Sequence, residues 1–102
     1  MEITKTQNER QTIFTLCGKL DSLTAPGFQG ELLPEFETGK DIVVDFGGLE
    51  YVATAGLRIL LAGEKTAKSK SVKMTLTNVN QDIMKVLNLT GFSKILNIEE
   101  AK

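Results

Sequence analysis

Residues 45–54 contain the side chains of this sequence with the clearest potential for chemistry. Thr54 stands where a strand-like pattern gives way to a long helical one, so its hydroxyl is expected beside helix amides without an intrahelical partner. Those amides and the helix dipole would stabilise a phosphate placed there. Asp45 closes the preceding strand, and Asp21 follows an earlier one. Such an aspartate either contacts a partner or accepts hydrogen bonds from loop amides, and both interpretations stay open here.

The composition excludes much of enzyme chemistry. The 102 residues include no histidine and a single cysteine, so the chain holds no Ser-His-Asp triad, no Cys-His pair and no histidine-ligated metal site. Gly47 and Gly48 are not followed by the lysine and hydroxyl residue of a P-loop. Twelve Lys and Arg against thirteen Asp and Glu give a net charge of -1, without the basic excess typical of nucleic-acid binding. We therefore expect no catalytic residue, metal, cofactor or nucleic-acid partner.

Length and hydropathy predict one globular domain over residues 1–102. The chain is 41% hydrophobic and 25% charged, which is typical of an ordinary folded domain. Its first residues do not form a signal-like segment, and its most apolar run, residues 59–62, is far shorter than the roughly 18 residues of a membrane span. We expect a cytoplasmic protein that does not insert into a membrane.

The first third of the chain predicts two strands and a helix. Residues 3–6 and 13–17 have strand composition, residues 7–10 form the loop between them, and Gly18 ends the second strand. Cys17, inside an apolar strand, is expected to be a small core residue. A helix follows from Thr24, because apolar side chains recur there every four residues: Phe28, Leu32 and Phe36.

The middle of the chain predicts a central strand and the main helix. Residues 41–46 include three consecutive apolar residues, which indicates a strand covered on both faces, and Gly47-Gly48 is expected to break it. Thr54 is expected to be the N-cap of a helix that extends to about Ser69. Arg58 is the one charge among residues 55–63, and we expect it to border a partner contact and pair with an acidic group.

The last third predicts a strand, a helix and a final strand. Residues 72–77 alternate apolar and polar side chains, Asn80 is placed to cap the next helix, Gly91 to end it, and residues 95–98 to form a short strand. Two strands followed by alternating helices and strands indicate an α/β fold. We expect a mixed, mostly parallel sheet with helices packed on it.

Two separate segments carry a resemblance to a known family. Residues 44–57 read Val-Asp-Phe-Gly-Gly-Leu-Glu-Tyr-Val-Ala-Thr-Ala-Gly-Leu, and residues 18–21 read Gly-Lys-Leu-Asp, followed by Thr24 and Ala25. With the order of elements, these segments resemble the STAS family, the sulphate-transporter and anti-sigma-factor-antagonist domain. The likeness covers nearly the whole chain and implies a single-domain STAS fold.

The resemblance implies a bacterial phosphoswitch that regulates sigma-factor-dependent transcription and is not an enzyme. The unphosphorylated domain would bind a GHKL-type serine/threonine kinase acting as anti-sigma factor, and phosphorylation at Thr54 would end that binding. A phosphatase is a further expected partner. The surface expected to face the kinase combines two loops with the helix start: Asp21, Ser22, Asp45, Gly47, Gly48, Ala53, Thr54, Ala55, Gly56 and Arg58.

Two positions depart from the pattern of the family. Ala53 stands where many antagonists have aspartate, and Thr54 where many have serine. The first departure slightly favours a second interpretation, a STAS subunit that scaffolds a transporter or a stressosome-like assembly without phosphorylation. A nucleotide-binding hydrolase is a third interpretation, which the missing P-loop and the absence of histidine disfavour.

Overall fold

Five strands form one mixed sheet in this computed structural model, which describes residues 1–99. In chain order the strands are β1 (Glu2–Gln7), β2 (Gln11–Leu20), β3 (Asp41–Val52), β4 (Met74–Thr77) and β5 (Asn97–Ile98). Their spatial order is the same, β1 is antiparallel to β2, and all other pairings are parallel. The predicted α/β class and mostly parallel sheet are confirmed.

Each parallel connection in the sheet passes through a helix. The helices are α1 (Ala25–Glu35), α2 (Thr54–Ser69) and α3 (Gln81–Thr90), with short 3₁₀ turns at Phe36–Thr38 and Phe92–Lys94. Parallel crossovers are right-handed, and here each one moves to the next strand in the same direction. The three helices therefore lie on one face of the sheet.

The core fills the space between that face and the helices. Alternate strand residues there are fully buried, including Phe14, Val44 and Leu76. Phe14 packs edge to face against Phe28 of α1 with ring centroids 6.0 Å apart. Val43, whose side chain points the other way, is only half buried. The prediction of a central strand covered on both faces is therefore wrong, since all the crossovers place their helices on one side.

Two predicted strand ends are also wrong. β3 continues through Gly47-Gly48 to Val52, with a bulge in its pairing with β2, and β2 continues through Gly18 to Leu20. Gly48 allows the backbones of β2 and β3 to lie close together at this bulge. A Cβ on Gly48 would lie 3.1 Å from the carbonyl oxygen of Leu16.

Cys17 is exposed, so its predicted place in the core is wrong as well. Successive side chains of a strand point to opposite faces, and the neighbouring Leu16 is the one buried under the helices. The thiol therefore lies on the face of the sheet that the helices leave uncovered.

The predicted signals around α3 are confirmed. Asn80 is the N-cap, and its Oδ1 accepts a hydrogen bond of 2.8 Å from the amide of Ile83. Gly91 follows the helix with φ of 82°, a left-handed conformation that glycine adopts without strain. β4 and β5 begin two residues later than predicted, at Met74 and Asn97.

Glu35, the last residue of α1, is a buried carboxylate that joins the helix to the first two strands. It accepts hydrogen bonds from the hydroxyl of fully buried Thr12 at 2.8 Å, from Lys5 at 3.3 Å and from Gln7. Burial by itself would raise the pKa of Glu35, but the hydrogen bonds from Thr12, Gln7 and Lys5 outweigh it and hold that pKa below its ordinary value.

Glu64 in α2 is a buried carboxylate whose charge is poorly balanced by neighbouring ion pairs and hydrogen bonds. Its side chain lies 4.0 Å from the Lys68 ammonium, and no group among residues 1–99 donates a hydrogen bond to its Oε1. Burial raises the pKa of Glu64, and the charge of Lys68 opposes that rise only in part. The two buried glutamates therefore differ in the sign of their pKa shift.

Candidate functional site

The candidate site forms where β2 and β3 end side by side. The amide of Ala53 donates a hydrogen bond of 2.8 Å to the carbonyl oxygen of Leu20, the last residue of β2. This bond ties the loop that follows β2 to the residue that precedes α2. The carboxyl ends of parallel strands are the usual place for functional groups in such sheets.

Thr54 is the first residue of α2, and its predicted role as N-cap is wrong. The N-cap is Ala53, which has extended backbone angles and accepts the first helical hydrogen bond from the amide of Leu57 at 3.1 Å. The Leu20 bond holds Ala53 in that conformation, and no side chain caps the helix. Within residues 1–99 the Thr54 hydroxyl makes no hydrogen bond, and the residue is exposed.

Replacing Thr54 with alanine should therefore change the free energy of unfolding by less than about 0.5 kcal/mol, because an exposed hydroxyl without a partner is lost. Asn80→Ala is the matched comparison and should cost about 1 kcal/mol, since its side chain caps α3. Urea denaturation of the two variants measures the difference. Equal losses would contradict the assignment of Ala53 as the N-cap.

Gly56 allows the first turn of α2 to pack directly against the ends of β2 and β3. A Cβ at this position would lie 2.7 Å from Cγ of Leu20 and 2.9 Å from Cγ2 of Val52. The helix backbone can approach the sheet this closely only because glycine has no side chain. Gly56, which the sequence analysis placed on the partner-binding surface, is thus buried, and it sets the position of Thr54 and half-buried Ala55.

Asp21 organises the loop after β2. Its Oδ1 accepts hydrogen bonds from the amides of Leu23 at 3.0 Å and Thr24 at 3.1 Å. The amides of Leu23 and Thr24 hold the pKa of Asp21 below its ordinary value. Of the two interpretations of Asp21, the structure shows the second, in which the carboxylate accepts hydrogen bonds from loop amides. Ser22, which lies between Asp21 and Leu23 in the chain, is exposed.

Asp45 also accepts hydrogen bonds that fix nearby backbone, but it does so in the middle of β3. Its Oδ1 accepts hydrogen bonds from the amide of Gly47 at 2.8 Å and from Nδ2 of Asn78 at 3.0 Å, beyond the end of β4. Val52 follows Asp45 by seven positions in β3, which is about 20 Å at the usual rise of a strand. The structure therefore does not bring Asp45 together with Thr54, because β3 continues where the sequence predicted a break.

Arg58 is exposed one helical turn after Thr54, on the same side of α2. Two further residues lie in the loops beside Asp45 and Asp21, and the second of them, Leu23, was missed by the sequence analysis. Asn78, with φ of 54°, orients Asp45, and its left-handed backbone is a conformation that asparagine adopts more readily than most residues. Leu23 is 89% exposed beside Asp21. An apolar residue within a polar turn segment was the available signal for it.

No three His, Cys, Asp or Glu side chains come together as a metal-ligand group anywhere in residues 1–99. Over the same residues, none of the helices has the length and apolar character that a membrane span requires.

Comparison with known proteins places the chain in a family. The family model described as STAS domain matches residues 2–101. The protein BtrV of Bordetella bronchiseptica, which carries the name of an anti-sigma factor antagonist, is 25% identical over 103 residues, covering 100% of this chain and 89% of BtrV. The anti-sigma-B factor antagonist of Listeria innocua is 23% identical over 104 residues, covering 100% of this chain and 90% of that protein.

A solved structure agrees with this fold. The anti-sigma factor antagonist SpoIIAA of Bacillus, in its unphosphorylated form, superimposes with a TM-score of 0.79 at 16% identity, covering 99% of this chain and 90% of SpoIIAA. At this identity the likeness concerns the fold alone. The family model, by contrast, covers almost every residue of the chain, so the chain belongs to the STAS domain family.

Proposed function

We propose that this protein is an anti-sigma factor antagonist that binds an anti-sigma serine/threonine kinase of the GHKL type and loses that binding when Thr54 is phosphorylated. The observation that carries the proposal is the exposed, unbonded hydroxyl of Thr54 at the start of α2. The names of BtrV and the Listeria protein support the antagonist role. SpoIIAA, which has the same fold, has been solved in unphosphorylated and phosphorylated forms, which supports the switch. Such a regulator would act in the cytoplasm.

The start of α2 suits a phosphate. The first helical hydrogen bond comes from the amide of Leu57, so the amides of Thr54, Ala55 and Gly56 have no carbonyl one turn earlier to bond. A phosphate would add about -1.5 to -2 charges beside these donors and the positive end of the helix dipole. The helix would keep its conformation, while a partner packed against it would have to desolvate a new charge.

The proposed contact surface extends from this helix start across both loops. Arg58, exposed one turn after Thr54, would pair with an acidic group of the kinase at its border. Along β3, Asp45 lies about 20 Å from Val52, while Gly47 and Gly48 lie about 13–17 Å from it, and all three distances fit within one interface of about 800 Å² per partner. Asp21 would act by holding its loop in shape, with Ser22 exposed beside it.

Incubation with the purified anti-sigma factor kinase of the source organism and ATP should place phosphate on Thr54 and should leave Thr54→Val unmodified. Peptide mapping by mass spectrometry measures the site. We also expect Thr54→Glu to weaken kinase binding at least tenfold in a calorimetric titration, because the substitution puts a charge into the contact.

Thr54→Val is the control for the binding measurement, since it keeps the shape of threonine without a hydroxyl or a charge. It should bind the kinase with nearly the affinity of the wild type. Phosphate found chiefly on Ser22, or equal kinase affinity for wild type and Thr54→Glu, would contradict the switch at this helix start.

A second candidate function is a scaffold subunit of a transporter or stressosome-like assembly that uses the same helix surface without phosphorylation. Ala53 favours it, because the residue before Thr54 carries no charge that could assist engagement by a kinase. The two functions differ in the kinase assay. Stable incorporation into a large assembly together with no phosphate on Thr54 after prolonged incubation would support the scaffold.

A further inference from the structure

Leu23 is an apolar side chain held in solvent by a well-ordered loop. It is 89% exposed, although its own amide is bonded to Oδ1 of Asp21 at 3.0 Å. Thr24 strengthens the same loop, since its hydroxyl donates to the carbonyl of Lys19 at 2.9 Å and accepts from the amide of Asp21 at 2.9 Å. The backbone at Leu23 is therefore fixed by bonds on both sides of it, while the leucine side chain contributes nothing to the core.

The position of this loop relative to Thr54 follows from the bond between Ala53 and Leu20. Leu23 follows Leu20 by three residues, at most about 10 Å along the chain. Ala53 is joined to Leu20 by a 2.8 Å hydrogen bond and precedes Thr54 directly. With a strand spacing of about 5 Å, the Cα atoms of Leu23 and Thr54 are no more than about 20 Å apart. One interface of about 800 Å² covers both residues.

We propose that Leu23 is an apolar anchor that enters a pocket on the same anti-sigma kinase that docks over Thr54. This inference rests on the proposed function and extends it by naming a residue that determines affinity. A leucine on a pre-ordered loop suits such a role, because the loop has little conformational freedom left to lose on binding. The partner is expected to present an apolar pocket beside the group that reaches Thr54, so that apolar burial and the charge switch act on one surface.

The test compares two leucines with similar exposure. Leu89 in α3 is 81% exposed, on an element that begins beyond β4. Leu23→Ala should raise the Kd for the purified anti-sigma factor kinase of the source organism about tenfold, equivalent to about 1.4 kcal/mol. Leu89→Ala should leave the Kd unchanged. Leu23→Met should restore most of the affinity, because methionine keeps a long apolar side chain.

The dependence on salt separates this contact from the charged ones. The loss caused by Leu23→Ala should be the same at low and high ionic strength, since burial of an apolar side chain is not screened. Both leucine variants should keep the wild-type melting temperature, which shows that the fold is intact.

Three outcomes would overturn the inference, and they are distinguishable from one another. Equal Kd values for wild type and Leu23→Ala, with a kinase that does bind wild type, would remove Leu23 from the contact while leaving the proposed function standing. Equal losses at Leu23 and Leu89 would indicate unspecific apolar association. Loss of self-association in Leu23→Ala, with kinase affinity unchanged, would assign Leu23 to a second copy of the chain. If wild type does not bind the kinase at all, the proposed function fails first.

Discussion

Gly56→Ala is expected to lower the free energy of unfolding by about 2 kcal/mol. The added methyl group would lie 2.7 Å from Cγ of Leu20 and 2.9 Å from Cγ2 of Val52. The helix cannot move away without losing its packing against the ends of β2 and β3. Overpacking of this kind costs about 1–3 kcal/mol, more than the gain in helix propensity from glycine to alanine. Urea denaturation followed by circular dichroism measures the loss.

Gly30 provides the matched control for this substitution. It is also inside a helix, but a Cβ added there meets no atom within 4 Å among residues 1–99. Gly30→Ala should therefore raise the free energy of unfolding by about 0.5–1 kcal/mol through helix propensity. If Gly56→Ala were as stable as Gly30→Ala, the close approach of α2 to the strand ends would be refuted.

Replacing the two buried glutamates with leucine should shift stability in opposite directions. Glu35→Leu removes the common acceptor of Thr12, Lys5 and Gln7, and the hydroxyl of Thr12 is then buried without a partner. We expect a loss of about 3 kcal/mol at pH 7. Glu64→Leu removes a buried carboxylate whose Oε1 accepts no hydrogen bond from residues 1–99, and should raise stability by about 1 kcal/mol.

The pH dependence of these differences gives a second measurement. The pKa of Glu35 is lowered in the fold, so its stabilising contribution is present above the pKa of an unfolded glutamate, about 4.3, and is lost as the pH falls through the folded value. The pKa of Glu64 is raised, so its contribution is present below about 4.3 and is lost as the pH rises through the folded value.

Denaturation of wild type and both variants between about pH 7 and about pH 3, a range that extends below the ordinary pKa of glutamate, tests these signs. The destabilisation by Glu35→Leu and the stabilisation by Glu64→Leu should both shrink as the wild-type carboxyl becomes protonated. A stability difference for Glu64→Leu that grows on acidification would show that this carboxylate has a partner and a lowered pKa instead.

Elements defined by local signals could be predicted from the sequence. Asn80 and Gly91 act through hydrogen bonds and backbone angles within four residues of themselves, so their types alone indicated where α3 begins and ends. The order of strands and helices followed from hydrophobic patterns of the same short range. The resemblance to the STAS family agreed with them over nearly the whole chain.

Features that depend on distant residues could not be predicted. Gly48 is required by the backbone of β2, and Ala53 is held as N-cap by Leu20, contacts between residues more than 30 positions apart. The sequence shows only that glycine often ends strands and threonine often caps helices. Glu64 is a partial exception, because it lies four residues after buried Leu60 and three before buried Ala67, the spacing of a core-facing helix stripe.

The strands of the sheet lie in space in the same order as in the chain, and this arrangement has a consequence for how the protein folds. Every pairing joins two consecutive strands, so no loop longer than one helical crossover has to close before a native contact forms. The contact order is therefore lower than in a sheet whose neighbouring strands are far apart in the chain, and a lower contact order favours faster folding. On the ribosome, the hairpin of β1 and β2 can form first, and each helix and strand that follows can add to the growing edge as it emerges.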